Sequence, residues 1–512
     1  MQPIRLMQGF LTVGFWTLAS RVLGFVRDIL IAAFLGAGPV AEAFMVAFSL
    51  PNVFRRFFAE GAFNMAFVPM FSKKLEADED PDGFAREAFS GLATFLIAFT
   101  VIALFAMPWL VIAMASGFIG DERFDLAVNY GRIAFPYILF ISLAALLSGV
   151  LNATGRFVAA AAAPVLLNIV FIAAIALAYW LGGSIGDALA WAVPVAGLTQ
   201  LALVWAAASR AGFRMVPVRP RLSPDMKRLA IIAAPAMLAG GVVQINLLVG
   251  RQVASFFDGA IVWLSLADRL YQLPLGVVGI AVGVVLLPDL SRRRRAEDTE
   301  GGRDAFNRAM EFSLALTLPA AVALAVMPGP LASVLYERGA FGPEDTAATA
   351  VAVAIYGLGL PAFVMQKTLQ PLFFAREDTR SPFRYALVAM LVNAALAIGL
   401  APVVGYLAAA IGATVSGWAM MWLLWRGSRE MGEACRPDDR FRQRLPRIAA
   451  ASAIMGIALW GGALALGPML GGSGRILALA VLVLVGMGIY AVAGQLLGAF
   501  RFRDLRGALR RG

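Results

Sequence analysis

YALVAMLVNAALAIGLAPVVGYLAAAIGATVSGWAMMWLLW, residues 385–425, runs for 41 positions without an aspartate, glutamate, lysine or arginine. A helix that crosses a bilayer needs roughly 20 apolar residues, so the stretch holds two, with Pro402 and Gly405 marking the break. The same pattern recurs outward in both directions. Charge-free runs occupy 88–120, 133–155, 157–186, 188–209, 229–250, 270–288, 312–336, 346–366, 448–474 and 476–500. With the divided stretch they make twelve spans. The first 75 residues are equally apolar, but Arg21, Arg27, Asp28, Glu42, Arg55, Arg56 and Glu60 interrupt them. They supply two more helices, about 8–36 and 40–71, split at Gly36-Ala37-Gly38-Pro39. The predicted fold class is therefore an all-α polytopic membrane protein with 14 transmembrane helices. Barrel strands would alternate with a period of two in pieces of about ten residues, and these long runs do not.

The composition agrees. Of 512 residues 60% are hydrophobic and 15% charged, with a mean hydropathy of +0.79; a soluble protein carries about 25% charge. The net charge of +11 would suggest nucleic acid in a soluble chain, but here it poses a question of membrane sidedness, and no nucleic-acid partner is expected. Histidine is absent, which excludes imidazole acid–base catalysis, imidazole metal ligation and a histidine pH switch. The single cysteine, Cys435, cannot form an intrachain disulfide or a thiolate cluster. Arg5 precedes the first apolar run, and the absence of a small-residue cleavage site predicts a retained first helix.

Loops that alternate with the spans and include both termini hold 32 lysines and arginines, among them Arg292–Arg295 and seven between 426 and 447. The opposite loops hold three: Arg123, Arg338 and Arg475. Cytoplasmic loops are enriched in cations, so both termini are expected in the cytoplasm. The Arg292–Arg295 run reads as a topology anchor that also contacts anionic lipids.

An internal repeat is visible. Pro69-Met70-Phe71-Ser72-Lys73-Lys74 matches Pro288-Asp289-Leu290-Ser291-Arg292-Arg293, and Leu50-Pro51 matches Leu273-Pro274. Pro136 stands eighteen residues before Thr154, and Pro361 eighteen before Thr379; the three offsets are 219, 223 and 225. Helices 1–6 thus resemble 7–12 as two pseudo-symmetric six-helix lobes, with helices 13–14 added. The expected divisions are an N-lobe at 1–215, a C-lobe at 216–430, and helices 13–14 with a basic cytoplasmic tail at 431–512. Lobes of six helices share one orientation, as in parallel-repeat transporters, which place the substrate site between them near the midplane.

Eight cations remain at membrane depth: Arg21, Arg27, Arg55, Arg56, Arg132, Arg251, Arg269 and Lys367. Each costs roughly 2.5–3.5 kcal/mol at the bilayer centre, so most must face water or partners. Arg132 and Arg251 lie near helix ends and can snorkel. Arg56 has Glu60 four residues on, a local ion pair. Arg21 and Asp28, seven apart, share a helical face, whereas Arg27 is turned about 120° from Arg21. Arg55 follows Pro51, a candidate kink, and Arg269 sits beside Asp268. Arg21, Arg27, Arg55, Arg56, Arg269 and Lys367 outnumber Asp28, Glu42, Glu60 and Asp268 by two. A surplus of guanidinium forks suits a polyvalent, phosphate-bearing anion. An ion-pair network that braces two lobes is the alternative.

Ser20-Arg21-Val22-Leu23-Gly24-Phe25-Val26-Arg27-Asp28 resembles the opening of the MurJ (MviN) lipid II flippase family. So do residues 50–63, LPNVFRRFFAEGAF, and Ala267-Asp268-Arg269-Leu270 with Leu273-Pro274-Leu275-Gly276-Val277. The resemblance implies the fold of the multidrug/oligosaccharidyl-lipid/polysaccharide exporter superfamily and a place in the bacterial cytoplasmic (inner) membrane. It implies transport of lipid II in peptidoglycan biosynthesis, hence a role in cell-wall biogenesis and cell shape, by alternating access. Arg21, Arg27, Arg55 and Arg269 match the family's substrate-binding cavity arginines. Asp28, Glu42, Arg56, Glu60, Asp268 and Lys367 match its cavity charge network. The polyprenyl tail is expected in an apolar groove by the last two helices. Glu42 stands where an aspartate is expected, and Gln272 where some members carry glutamate. Asn246 and Asn393 are candidate ligands for a coupling sodium ion, and the metal question is otherwise open. No cofactor is expected; membrane potential, Na+ and H+ are the candidate energy sources. Lipid II and membrane lipids are the expected partners, with cell-wall synthesis proteins as further candidates.

Two rival transporters remain: a flippase for another polyprenyl-diphosphate-linked glycan, and a cation-coupled drug antiporter, which would want an acidic cavity. An enzyme is not expected. A membrane glycosyltransferase needs a positioned base and an acidic metal-binding pair, and the outer loops at 36–40, 117–125 and 182–187 supply no such cluster.

Overall fold

The computed structural model describes the backbone of residues 3–58, 62–296 and 298–500. Side chains are described over these residues except at 3–11, 56–58, 62, 65, 234–247, 277–285, 287–288, 294–295 and 434. Among the described residues every regular element is helical, and the single β-bridge, Arg338 to Phe341, is isolated. Contacts divide the chain into two units, Met1–Val262 with Arg338–Phe341, and Trp263–Glu337 with Gly342–Gly512.

The first unit holds α1 (Pro3–Leu35), α2 (Pro39–Phe58), α3 (Ala62–Ala77), α4 (Pro81–Phe105) and α5 (Met107–Ala115). It continues with α6 (Glu122–Ala134), α7 (Tyr137–Ala153), α8 (Val158–Leu181), α9 (Ile185–Arg210) and α10 (Pro224–Ala254). The long α11 (Ala260–Arg295) opens in this unit and belongs mostly to the second. The second adds α12 (Thr299–Val326), α13 (Pro328–Tyr336), α14 (Pro343–Phe374) and α15 (Arg380–Val404). It ends with α16 (Leu407–Ser428), α17 (Asp439–Ala465), the single turn α18 (Gly467–Leu470) and α19 (Arg475–Leu496). The first boundary expected from the repeat, at 215, falls before α10, whereas the contacts count α10 in the first unit.

Ten segments among the described residues are long and apolar enough to cross a membrane: α4, α6 with α7, α8, α9, α12, and α14 to α17 with α19. The other four spans expected from sequence fall on α1, on α2 with α3, on α10 and on α11. Charges within α1, α2 and α11 lower their apolarity, and parts of α10 and α11 carry side chains outside the described set. The two repeat prolines behave differently. Pro136 separates α6 from α7, while Pro361 lies inside a continuous α14. Thr154 and Thr379 nevertheless occupy matching places, in the connections α7–α8 and α14–α15.

Helix starts follow from capping chemistry. Asp80, Ser184, Ser223, Asp298 and Asp438 each accept a hydrogen bond from a backbone N–H in the first turn, satisfying donors that a helix leaves open. The predicted split at Gly36 is real, and its cause is specific. Gly36 has φ +65°, and a Cβ there would meet the Ala340 carbonyl oxygen at 2.6 Å. The backbone N–H of Ala340 donates to the Ala33 carbonyl at 2.8 Å, so the 338–341 loop lies directly on the end of α1.

In the first unit α1 packs on α8, α2 on α6, and α7 and α8 on α9. In the second, α12 packs on α14 and α17, α16 on α14 and α15, and α19 on α17. Met455 and Leu459 of α17 share a core with Leu479 and Leu482 of α19 and with Met327 and Val334.

Candidate functional site

Among the described residues the most enclosed of the predicted arginines is Arg27, about two turns before the end of α1. It is 5% exposed, as is Asp28. Its Nε and Nη2 both donate to Asp28 Oδ1, at 3.0 and 2.7 Å, and its Nη1 donates to Asn168 Oδ1 of α8 at 3.1 Å. Asn168 Nδ2 in turn donates to the Ser20 carbonyl at 2.9 Å, fixing which way the amide faces. The guanidinium lies 5.9 Å from the Phe48 ring centroid and 5.5 Å from that of Phe171. A buried guanidinium is costly unless a carboxylate, further hydrogen bonds and polarizable faces replace its water, and here all three are present. The geometry pre-orients a planar cation on α1 between rings of α2 and α8.

Arg21 and Arg27 separate as their helical angle predicts. Arg21 is exposed and holds no ion pair among the described residues. Asp28, which shares a helical face with Arg21, turns instead to its neighbour Arg27. Arg55 is half-buried; seven residues beyond Phe48, it stands two turns along the face that carries that ring. Pro51 lies inside α2 between them. The Arg56 side chain and all of Glu60 lie outside the described residues, and with them the expected Arg56–Glu60 pair.

Glu42, 1% exposed, belongs to a different cluster. It accepts from Arg123 Nη1 at 2.9 Å and from the Ile261 backbone N–H at 3.2 Å. Arg123 also reaches Asp121 at 2.6 Å and Asp258 at 3.0 Å, and its guanidinium lies 4.6 Å from the Phe118 centroid. The start of α2, the α5–α6 loop and the α10–α11 turn are therefore tied by one arginine and three carboxylates. The cap at Asp121 is held below its ordinary carboxyl value, first by the Arg123 backbone N–H and then by the guanidinium.

In the second unit Arg269 is exposed and Asp268 half-buried, on α11. Gln272 Nε2 donates to Asp268 Oδ2 one turn on, so the amide that replaces glutamate caps the aspartate instead of repelling it. Tyr271 stacks beside Tyr356 and Phe363 of α14. Lys367 is exposed on α14 and holds no ion pair among the described residues. Asn393 is buried in α15, and the Asn246 side chain lies outside the described set. Among the described residues no three acidic or cysteine side chains cluster as a metal would need.

Sequence reasoning missed Arg123, Asn168, Phe48 and Phe171. Arg123 counted as a loop cation, although Asp121-Glu122-Arg123 at a helix start was a legible cap. Asn168 was legible as the only carboxamide in the charge-free run 157–186. The rings had no local signal, because their role depends on which helices meet.

Long apolar helices in two units, with arginine buried among them, define a polytopic membrane protein built like a transporter. The fold is similar to that of an inward-facing MATE-family multidrug resistance transporter, with a TM-score of 0.67 at 13% identity, covering 80% of this chain and 94% of that one. It is closer to a lipid II flippase MurJ in its inward closed conformation, with a TM-score of 0.81 at 24% identity over 96% of this chain and 99% of that one. The family model described as lipid II flippase MurJ matches residues 31–471. A probable lipid II flippase MurJ of Rhizobium meliloti (strain 1021) is 45% identical over 524 residues, covering 99% of this chain and 97% of the relative. The lipid II flippase MurJ of Burkholderia cenocepacia is 34% identical over 89% of this chain and 90% of its own length. The chain belongs to the MurJ lipid II flippase family.

Proposed function

We propose that this protein carries lipid II from the inner to the outer leaflet of the bacterial cytoplasmic membrane by alternating access, acting as a transporter and not as an enzyme. The observation that carries this reading is the 45% identity to a probable lipid II flippase across 99% of the chain. The chemistry on the page supports it. Arg21, Arg27 and Arg55 in the first unit and Arg269 in the second supply guanidinium forks matched to the oxygens of a diphosphate. Arg27 is pre-oriented by Asp28 and Asn168. Asp28, Asp268 and Lys367, with Arg56 and Glu60, complete the charge set; Glu42 acts as a brace through Arg123.

Both termini face the cytoplasm in this proposal, because 32 loop cations lie on their side and three on the other. Of these, Arg123 is engaged by acids as described, and Arg475 pairs with Glu337 at 3.4 Å. Transport draws on the membrane potential or on a Na+ or H+ gradient and needs no cofactor.

The test is headgroup translocation by the purified chain in sealed vesicles, comparing lipid II with a different glycan on the same polyprenyl diphosphate. Faster movement of lipid II is expected. Equal rates would make the protein a general polyprenyl-diphosphate flippase, and movement of neither would sink the proposal.

A further inference from the structure

The second unit contains a cavity of about 960 Å³ between α12, α14, α16 and α17, at the upper end of the roughly 300–1,000 Å³ typical of ligand sites. Its floor is apolar, with Leu314 and Leu318 from α12 and Met365 from α14. Trp418, Trp422 and Trp425 of α16 form one wall. At the mouth, where α16 ends and α17 begins, stand Arg429, Arg436 and Arg442, and no carboxylate lines the cavity.

These three arginines differ from their neighbours at the same end of the unit. Arg308 is engaged by Asp304 at 3.0 Å and also by Glu311 and Asp438. Arg440 reaches Glu311 at 3.3 Å, and Arg444 pairs with the same carboxylate. Asp304, Glu311 and Asp438 are thus committed to arginines outside the cavity. Arg429, Arg436 and Arg442 are exposed and hold no ion pair among the described residues; the Arg429 guanidinium lies 6.0 Å from the Trp425 ring centroid. The mouth is also anchored. Arg303 and Asn307 donate to the Arg436 carbonyl at 3.3 and 3.0 Å, and Arg303 reaches the Pro437 carbonyl at 3.2 Å.

We propose that this cavity binds an anionic glycerophospholipid, with its phosphate among Arg429, Arg436 and Arg442 and its acyl chains along the tryptophan wall. A free anion would leave the apolar floor without use, and a neutral lipid would leave three cations uncompensated. Tryptophan prefers the headgroup level, and arginines near an anionic surface strengthen attachment to it. On the proposed topology the leaflet is the cytoplasmic one. The site is separate from the arginines assigned to lipid II and does not depend on that assignment.

The probe is tryptophan quenching by brominated phosphatidylglycerol against brominated phosphatidylcholine, with the full chain in phosphatidylcholine vesicles. Wild type should be quenched at a lower mole fraction of the anionic lipid, and R429Q/R436Q/R442Q should lose roughly tenfold or more of that preference. The W418F/W422F/W425F chain should show equal quenching by the two lipids. The L318W variant keeps the arginines but fills the floor, and should also lose the preference. Equal quenching in wild type would overturn the proposal, as would a preference that survives the arginine substitutions. Displacement of the brominated lipid by undecaprenyl diphosphate would give the cavity to the polyprenyl carrier and overturn it too.

Discussion

Two arginines in the first unit are equally buried, each 5% exposed, and they are surrounded in opposite ways. Arg123 has three carboxylates, Glu42, Asp121 and Asp258, within 3.0 Å of its guanidinium nitrogens. Arg27 has one, Asp28, with a neutral amide and two aromatic rings taking the remaining places. Arg123 is overcompensated, so an incoming anion would meet net negative charge there. Arg27 is balanced only by its neighbour, in a helix that also carries the exposed Arg21. The lesson is that burial of a cation does not mark a binding site. The ratio of acids to cations around it does.

Substitutions can break this contrast. Arg123→Gln leaves the Glu42 carboxylate buried without its cation, and loss of one partner of a buried pair costs about 3–5 kcal/mol. Its unfolding temperature in detergent should fall sharply, and E42Q/R123Q should recover more than half of the loss. An unchanged unfolding temperature in the single variant would remove the brace. Asn168→Leu takes from Arg27 one hydrogen bond to a charged group, about 1.5–3 kcal/mol. It should weaken lipid II binding more than it lowers stability, and the opposite order would make Asn168 purely structural. Gly36→Ala should cost about 1–3 kcal/mol from its positive φ and the close Ala340 oxygen, measured by the same melts.

The smallest effect concerns pH. Asp121 is held below its ordinary value of 3.8, so its contribution is complete above that value and is lost as the pH falls toward the lower folded value. The side chain is 34% exposed and screened by solvent, so the contribution stays below about 1 kcal/mol. D121N should flatten the stability profile in that acid window alone; a change near neutrality would contradict the assignment.

Much of this was legible beforehand. Charge-free length exposed the spans, because a bilayer tolerates little else, and Gly36-Ala37-Gly38-Pro39 marked a true break between α1 and α2. Arg27 and Asp28 were legible as buried charges. The partner of Glu42 was not, since Arg123 lies 81 residues away and looked like an ordinary loop cation. The fate of the repeat prolines was equally hidden. Pro136 breaks its helix and Pro361 does not, because neighbouring helices decide whether the freed backbone groups are satisfied.

The central claim is that the guanidinium of Arg27 binds the lipid II diphosphate while that of Arg123 serves the fold. The most direct measurement is lipid II translocation in sealed vesicles by R27E, R27K and wild type at matched folded protein. The account predicts no translocation by R27E and a partial rate for R27K, which keeps the charge but loses the planar fork. Wild-type rates from R27E would contradict it.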